Sequence, residues 1–218
     1  MFIRKIVLES ENNDSIFLWG ARQVGKTTLL ENTYPNARYY DLLNAKEFER
    51  FIRNPSLLTE ELSHMEPGTL IIIDEVQKVP QILDEVHSLI QKKSLRFILS
   101  GSSARKLRRQ GINLLGGRAL KKILHPLVSC EIPDFDLIKA VNNGMIPRHY
   151  TVANPWDRFK AYIGVYLNEE IREEALSRSL RSFSRFLEVA AKSNGEMIVY
   201  KNIAQDTGID HRTVKEYF

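Results

Sequence analysis

Residues 20–27 are Gly-Ala-Arg-Gln-Val-Gly-Lys-Thr and fit the pattern G-x-x-x-x-G-K-[ST], a glycine-rich loop that wraps phosphate groups. The pattern constrains the fold because it works only where a strand enters the loop and a helix leaves it. The apolar run Ser15–Trp19 predicts that strand, and Thr28–Asn32 predicts the start of the helix. We therefore expect a phosphate-binding site between these two elements.

The residue types in this loop suit a nucleoside triphosphate. Glycines at 20 and 25 let the backbone turn tightly and approach phosphates closely. Successive backbone N–H groups and the helix N-terminus form an anion-binding nest. Lys26 is expected to reach the β- and γ-phosphates and to act in catalysis, and the Thr27 hydroxyl to ligate Mg²⁺. The predicted nucleotide-binding set is Gly20, Ala21, Arg22, Gln23, Val24, Gly25, Lys26, Thr27 and Thr28.

A second motif is a strand that ends in two acidic residues. Thr69–Ile73 is a continuous β-branched and leucine run, typical of a strand buried on both faces of a parallel sheet. Asp74 at its carboxyl end is predicted to hold Mg²⁺ through its water shell. Glu75 is then placed to orient or deprotonate the attacking water. The alternative for Glu75 is a solvated carboxylate that caps the following helix.

Composition narrows the class of protein. The chain has 218 residues, of which 43% are hydrophobic, as is usual for a soluble globular protein. Its formal charge of +4 permits contact with nucleic acid but does not require it. Cys130 is the only cysteine, so no intrachain disulfide forms and a reducing compartment is expected. The N-terminal apolar run is too short for a signal peptide, and no apolar run is long enough to span a bilayer. We expect a cytoplasmic location and no membrane contact.

The alternation of elements up to about residue 150 predicts an α/β domain, a parallel sheet sandwiched by helices, over residues 1–150. Further predicted strands are 37–42, 95–100 and 122–127, and further predicted helices are 45–53, 56–64 and one that starts at Pro80. Pro126 favours an edge position or the end of the last strand.

Polar and basic residues near the predicted tip of strand 95–100 are further candidates. Ser100 or Ser102 could sense the γ-phosphate or position water, or could serve as turn and cap residues. One arginine could stabilise charge in the transition state as a finger residue, an effect of about 10³–10⁵ in rate. Arg118 is the first choice for this finger and Arg105 the second. Arg108 and Arg109 are at least as well explained by a solvated basic helix or a patch that contacts phosphate backbones.

Breaker-rich stretches at 142–147 and 153–155 predict a boundary, followed by a helical region over residues 151–218. Helices are predicted from 156 to 175, from 180 to 190, over 199–208 and over 209–217. The last two, joined at Gly208, favour a helix-turn-helix. In a DNA-binding protein the side chains that face the groove would be those of His211, Arg212, Thr213 and Lys215. A structural or protein-contact module is the alternative.

The phrases GARQVGKTTLL, LIIIDEVQKVP, FILSGSSARKLRR and LLGGRAL, in this order, resemble the bacterial and archaeal AAA-type ATPases that carry a C-terminal domain of unknown function. The resemblance implies a P-loop core of the RecA/AAA type, with the strand ending at Ser100 between the loop strand and the acidic strand. It also implies ATP as the nucleotide and the roles given above for Lys26, Thr27, Asp74 and Glu75. Longer relatives continue through a winged helix, so this chain, which ends at Phe218, is expected to be truncated there.

These observations favour a Mg²⁺-dependent ATPase whose hydrolysis is coupled to a conformational change. An alternative is an ATP-loaded switch or DNA-binding regulator with little turnover, which a missing finger residue would favour. A homo-oligomer that supplies an arginine from a second copy would complete the first mechanism. A small-molecule phosphotransferase is disfavoured, because no acceptor-site motif is evident and a helix-turn-helix follows the core.

Overall fold

The computed structural model describes residues 2–9, 13–102, 107, 115–173 and 180–218, with the backbone alone for 165–173 and 180. The chain divides into two compact units, Met1–Pro155 and Trp156–Phe218. In the first unit the strands are β1 (Ser15–Trp19), β2 (Arg38–Asp41), β3 (Leu70–Asp74), β4 (Arg96–Gly101) and β5 (Ala119–Ile123). Its described helices are α1 (Lys26–Thr33), α2 (Ala45–Arg53), α3 (Leu57–Leu62), α4 (Ile82–Lys93), α5 (Leu137–Asn143) and α6 (Pro147–Tyr150).

The strands of the first unit form a parallel sheet in the order β2-β3-β4-β1-β5. This order confirms the predicted α/β class, and it places the strand ending near Ser100 between the loop strand and the acidic strand. Leu18 is in register with Ser100, and Asp41 with Asp74. The carboxyl ends of β1, β3 and β4 therefore meet at one edge of the sheet, where residues that follow each strand can form a common site.

Successive side chains along each strand point to opposite faces of the sheet, and an apolar layer covers each face. Phe17 and Trp19 of β1 belong to a buried cluster that includes Val86 of α4. Ile16 and Leu18, which point to the opposite face, pack in a second cluster with side chains of α1. Both faces are covered, which explains why the strands are continuous apolar runs rather than alternating ones. Helices α2 and α3 cover the same face as α4, through buried Phe51, Leu58 and Leu62.

The prediction for the last strand was wrong in position. The sequence predicted 122–127, whereas β5 spans Ala119–Ile123 and lies at the edge of the sheet. The Leu124 N–H still donates to the Trp19 carbonyl at 2.7 Å, after which the chain leaves the ladder. Proline has no N–H to donate, so Pro126 cannot extend the pairing. The exposed Lys121 and the half-buried Lys122 of β5 suit an edge strand, because charged side chains there oppose pairing with another chain.

The second unit is helical. It contains α7 (Trp156–Glu173), α8 (Leu180–Lys192), α9 (Tyr200–Thr207) and α10 (His211–Tyr217). The core of this unit is Phe183, Phe186, Ile203 and Val214. The predicted helices are all found, although the end predicted for the first falls on residues outside the described ranges. Within those ranges, none of the helices combines the length and the apolar character needed to cross a membrane.

Candidate functional site

The loop after β1 takes the form that its glycines allow. Gly25 has φ 95° and caps α1, a left-handed conformation that side chains disfavour. A Cβ on Gly20 would lie 2.4 Å from the Leu124 carbonyl oxygen, so this position requires glycine for close packing. Gln23 also has a positive φ, 64°. The predicted strand, loop and helix are therefore present, with the loop turning tightly between Trp19 and Lys26.

Lys26 is 6% exposed, and its ammonium lies inside the loop. Its Nζ donates to the carbonyl of Gly20 at 2.8 Å and to that of Ala21 at 3.2 Å. A buried ammonium needs such partners, because leaving it unpaired would cost several kcal/mol. Phosphate oxygens are stronger acceptors than these carbonyls, since they carry formal negative charge. The position and partners of Lys26 are thus those of a group that can turn to an incoming anion.

The carboxylate of Asp74 is the centre of the site. From the described residues it accepts four hydrogen bonds. The Thr27 hydroxyl donates to Oδ2 at 2.6 Å, and the Tyr39 hydroxyl donates to the same oxygen at 2.7 Å. The Ser100 hydroxyl and the Glu75 backbone N–H donate to Oδ1. The side chain is 2% exposed, and these donors compensate the cost of burying its charge.

Sequence reasoning did not identify Tyr39 as a site residue. Tyr39 of β2 is in register with Ile72 and projects from the same face of the sheet, which lets its hydroxyl reach Asp74 two residues further on. Burial raises the pKa of Tyr39, and the negative charge of Asp74 raises it further. The phenol therefore remains a proton donor to the carboxylate at physiological pH. No pattern in the sequence marks it, because its role depends on strand register.

Thr27 and Asp74, the predicted metal ligands, lie together. A hydroxyl and a carboxylate are the hard oxygen donors that Mg²⁺ prefers, and Mg²⁺ sites typically combine one or two such groups with water and phosphate oxygens. The 2.6 Å contact between Thr27 Oγ1 and Asp74 Oδ2 shows that both atoms can reach one point. The residues present therefore fit a magnesium ion.

Glu75 directly follows Asp74 and has φ 59° and ψ 43°, a left-handed conformation that is unfavourable for a side-chain-bearing residue by about 1 kcal/mol. It precedes a single 3₁₀ turn, Val76–Lys78, and its side chain makes no capping bond there, contrary to the alternative interpretation. Instead its carboxylate accepts a hydrogen bond from Gln77 Nε2. Gln77 is 4% exposed and its Nε2 also lies 3.5 Å from the Ser102 hydroxyl. Gln77 is a second site residue that the sequence did not reveal.

The other predicted catalytic residues fall into two groups. Ser100 is fully buried and contacts Asp74 directly, so the structure brings it into the site. Arg118 is exposed, and because Ala119 pairs with Ser15 it lies at the amino end of the sheet. This end is roughly 20 Å along the strands from the loop after Trp19. Arg118 therefore does not reach the loop of the same chain. The alternatives Arg105, Arg108 and Arg109 lie outside the described residues.

A mostly apolar cavity of about 350 Å³ adjoins the loop. It is lined by residues of the loop and α1, by the N-terminal segment and by Pro147 of α6: Phe2, Ile3, Arg4, Val24, Gly25, Thr28, Leu29, Asn32 and Thr33. A larger cavity of about 660 Å³ lies beside Arg38 and Leu70. Those residues begin β2 and β3, so this second cavity is at the edge of the sheet away from the loop.

In the second unit, α9 and α10 are joined at Gly208, which has φ 68°. The Asp210 side chain caps α10 by accepting from the Arg212 backbone N–H at 2.9 Å. Of the residues predicted to face a DNA groove, His211, Arg212 and Lys215 are exposed and Thr213 is half-buried. Val214 packs inward, against Phe183 and Ile203.

The chain belongs to the AAA domain family, whose model matches residues 12–132. The domain of unknown function DUF8612 matches residues 134–218. Uncharacterized protein MJ1637 of Methanocaldococcus jannaschii is 27% identical over 233 residues, covering 97% of this chain and 48% of the relative. The chain thus spans about half the length of that curated relative. Two solved structures also match: the Thermotoga maritima RuvB Holliday junction branch migration motor, with a TM-score of 0.45, and a RuvB variant, with a TM-score of 0.46. Each is 13% identical to this chain, and each match covers 93% of this chain and 77% of the RuvB chain.

Proposed function

We propose that this chain binds ATP with Mg²⁺ and hydrolyses its β–γ phosphoanhydride, and that hydrolysis is coupled to a conformational change. Membership of the AAA domain family supports a nucleotide-binding ATPase. The observation that carries the finer proposal is the Thr27–Asp74 hydrogen bond, which brings the phosphate loop and the acidic strand to one point. A glycine-rich loop without that carboxylate would bind an anion only; with it, the site has the ligands for a phosphate-bound metal.

Each residue has a separate part in binding. The loop amides and Lys26 hold the β- and γ-phosphates, with Lys26 exchanging its carbonyl partners for phosphate oxygens. Thr27 and Asp74 hold the magnesium ion, which when bound neutralises charge on the phosphate oxygens. Thr28 lies in the first turn of α1 and also lines the 350 Å³ cavity, which therefore adjoins the proposed phosphate site. The adenosine is proposed to occupy that cavity, against Phe2.

Glu75 is proposed as the general base. Glu75 directly follows Asp74, the proposed metal ligand, at the carboxyl end of β3. The Gln77 amide binds one carboxylate oxygen and limits its rotation. The remaining oxygen can accept a proton from water that attacks the γ-phosphate. Ser100 supports the arrangement through Asp74 rather than by touching phosphate.

Calorimetry with purified protein and Mg·ATP tests the binding step. Wild type is expected to bind, and Lys26→Ala to lose at least about tenfold in affinity, since each tenfold loss corresponds to about 1.4 kcal/mol. Lys46→Ala, which removes an exposed lysine of α2, is the matched control and should bind like wild type. Binding of Mg·GTP under the same conditions measures base preference. A folded wild type that takes up neither nucleotide contradicts the proposal.

Phosphate release separates an ATPase from a nucleotide-loaded switch. The proposal requires turnover by wild type and binding without turnover by Glu75→Gln. Wild type that binds Mg·ATP and releases no phosphate supports the alternative, a switch or regulator. An arginine from a second copy is tested by mixing inactive Lys26→Ala and Arg118→Ala chains: recovered turnover shows that Arg118 acts across copies.

Contact with duplex DNA through α10 is a second candidate function. It is favoured by the exposed basic side chains of Arg212 and Lys215 on a helix capped at Asp210. Fluorescence anisotropy with a labelled duplex should show binding that weakens as salt rises, because phosphate contacts release counterions. Replacing both residues by alanine should weaken binding and reduce the salt dependence. Equal binding by this variant contradicts the assignment to α10.

A further inference from the structure

Arg4, in the segment that precedes β1, joins three parts of the first unit. Its side chain is 8% exposed. Nη1 donates to the Val24 carbonyl of the phosphate loop at 2.7 Å. Nη2 donates to the His125 carbonyl at 2.5 Å and lies 3.4 Å from that of Pro126, in the segment after β5. Nε donates to Glu131 Oε2 at 3.0 Å. One guanidinium thus connects the N-terminus, the loop and the segment after β5.

The charge of Arg4 is balanced within this cluster. Glu131 is 6% exposed and pairs with Arg4. Its Oε1 accepts from the Lys5 backbone N–H at 2.7 Å, and its Oε2 accepts from the Val128 backbone N–H at 3.2 Å. The carboxylate is therefore fixed independently of Arg4 and holds the guanidinium in place. Separating Arg4 from Glu131 would leave a buried charge without its partner, which is strongly destabilising. The Arg4 guanidinium is therefore held firmly at this position.

The contact with Val24 has a consequence for the loop. The Val24 carbonyl and the Gly25 N–H belong to one planar peptide unit, and in a trans peptide they point in opposite directions. A carbonyl held by Arg4 on one side of the loop therefore directs the Gly25 N–H to the other side. The loop amides are the groups that bind phosphate oxygens, and a rotated peptide would present a carbonyl oxygen to the anion instead.

We propose that Arg4 is a positioning residue for the phosphate loop: it holds the Val24–Gly25 peptide in the orientation that aims the Gly25 N–H at the phosphates. This inference rests on the proposed nucleotide-binding function. Arg4 lines the cavity proposed for the adenosine, but its guanidinium is not proposed to bind the phosphates. Its guanidinium faces protein acceptors, and its fork geometry lets it serve three segments at once, which the single ammonium of lysine cannot do.

The test compares Arg4→Lys with wild type in binding of Mg²⁺ and the non-hydrolysable analogue AMP-PNP. Affinity is measured by calorimetry at a temperature where circular dichroism shows each protein to be folded, so that lowered stability alone leaves the dissociation constant unchanged. Arg4→Lys should raise the dissociation constant about tenfold. Arg50→Lys is the matched control: it alters another ion-paired arginine, on α2, and should stay within twofold of wild type.

The amide proton of Gly25 gives a direct second readout. In wild type its NMR resonance should shift when Mg·AMP-PNP is added, and in Arg4→Lys the shift should be smaller at saturation. If Arg4→Lys does not fold, Glu131→Gln replaces it, because this change keeps the shape while removing the charge that holds Arg4. The inference is overturned if wild type binds and the folded variant shows the same affinity and the same Gly25 shift as wild type. Absence of binding by wild type instead contradicts the proposed function.

Discussion

The Thr27 hydroxyl donates a 2.6 Å hydrogen bond to Asp74 Oδ2 across 47 positions of the chain. Thr27 lies in the first turn of α1, and Asp74 ends β3. The bond forms because β4 separates β1 from β3 in the sheet and all three strands run in parallel, so that their carboxyl ends share one edge. It brings two magnesium-compatible oxygens to the same point.

Removing the Thr27 hydroxyl should weaken the metal-dependent step. Thr27→Val keeps the shape of the side chain but has no oxygen ligand, so the Mg²⁺ concentration for half-maximal ATP turnover should rise about tenfold or more. Thr27→Ser retains the hydroxyl and should stay near wild type. Phosphate release measured over a series of Mg²⁺ concentrations checks both variants. Equal Mg²⁺ requirements for the valine and serine variants would contradict Thr27 as a metal ligand.

Tyr39→Phe should change stability at alkaline pH. The pKa of Tyr39 is raised above its usual value of 10.0, chiefly by burial. The folded chain therefore holds this proton more tightly than the unfolded chain, and the resulting stabilisation is complete below about pH 10 and is lost as pH rises further. Urea unfolding of wild type and variant between pH 8 and 11 measures this. The advantage of wild type should shrink only above about pH 10, and a constant difference would count against the Tyr39–Asp74 bond.

Gln77→Ala should slow hydrolysis without weakening nucleotide binding. The Gln77 amide holds the Glu75 carboxylate, and misplacing a catalytic base by about 1 Å can cost roughly 100-fold in rate. We expect kcat to fall about 10- to 100-fold and the dissociation constant for Mg·ATP to stay within twofold. Gln81→Ala, at an exposed position before α4, is the matched control. A Gln77→Ala variant with wild-type kcat would show that Glu75 needs no such support.

Glu131→Gln should remove an acid-sensitive part of the stability. Burial by itself raises the pKa of Glu131, but the backbone N–H groups of Lys5 and Val128 and the Arg4 guanidinium outweigh it and leave the pKa below its usual value. A depressed carboxyl pKa contributes stability above the unfolded value of about 4.3, and this is lost as pH falls below it. Denaturant unfolding from pH 7 to pH 3 should show wild type converging on the variant below about pH 4. Parallel curves would contradict the assigned pairing.

The sequence predicted most of the elements that hold the site, because each prediction used local information. The apolar run Leu70–Asp74 and the glycine loop before Lys26 are local patterns whose physical meaning does not depend on distant residues. Prediction failed for β5, where the ladder ends before Pro126. There the strand begins at Ala119, before the predicted start, and beyond Leu124 the carbonyls of His125 and Pro126 bind Arg4 rather than a strand, a contact with no local signature.

By itself, the sequence identified the chemical groups of the candidate site: an ammonium, a hydroxyl and two carboxylates, each next to the end of a strand or the start of a helix. Only the tertiary structure decided their partners. Tyr39 reaches Asp74 through strand register, Gln77 reaches Glu75 through a left-handed turn, and Arg4 reaches the loop from the N-terminus. Such contacts depend on how strands and loops pack in three dimensions, which residue spacing along a single chain does not encode.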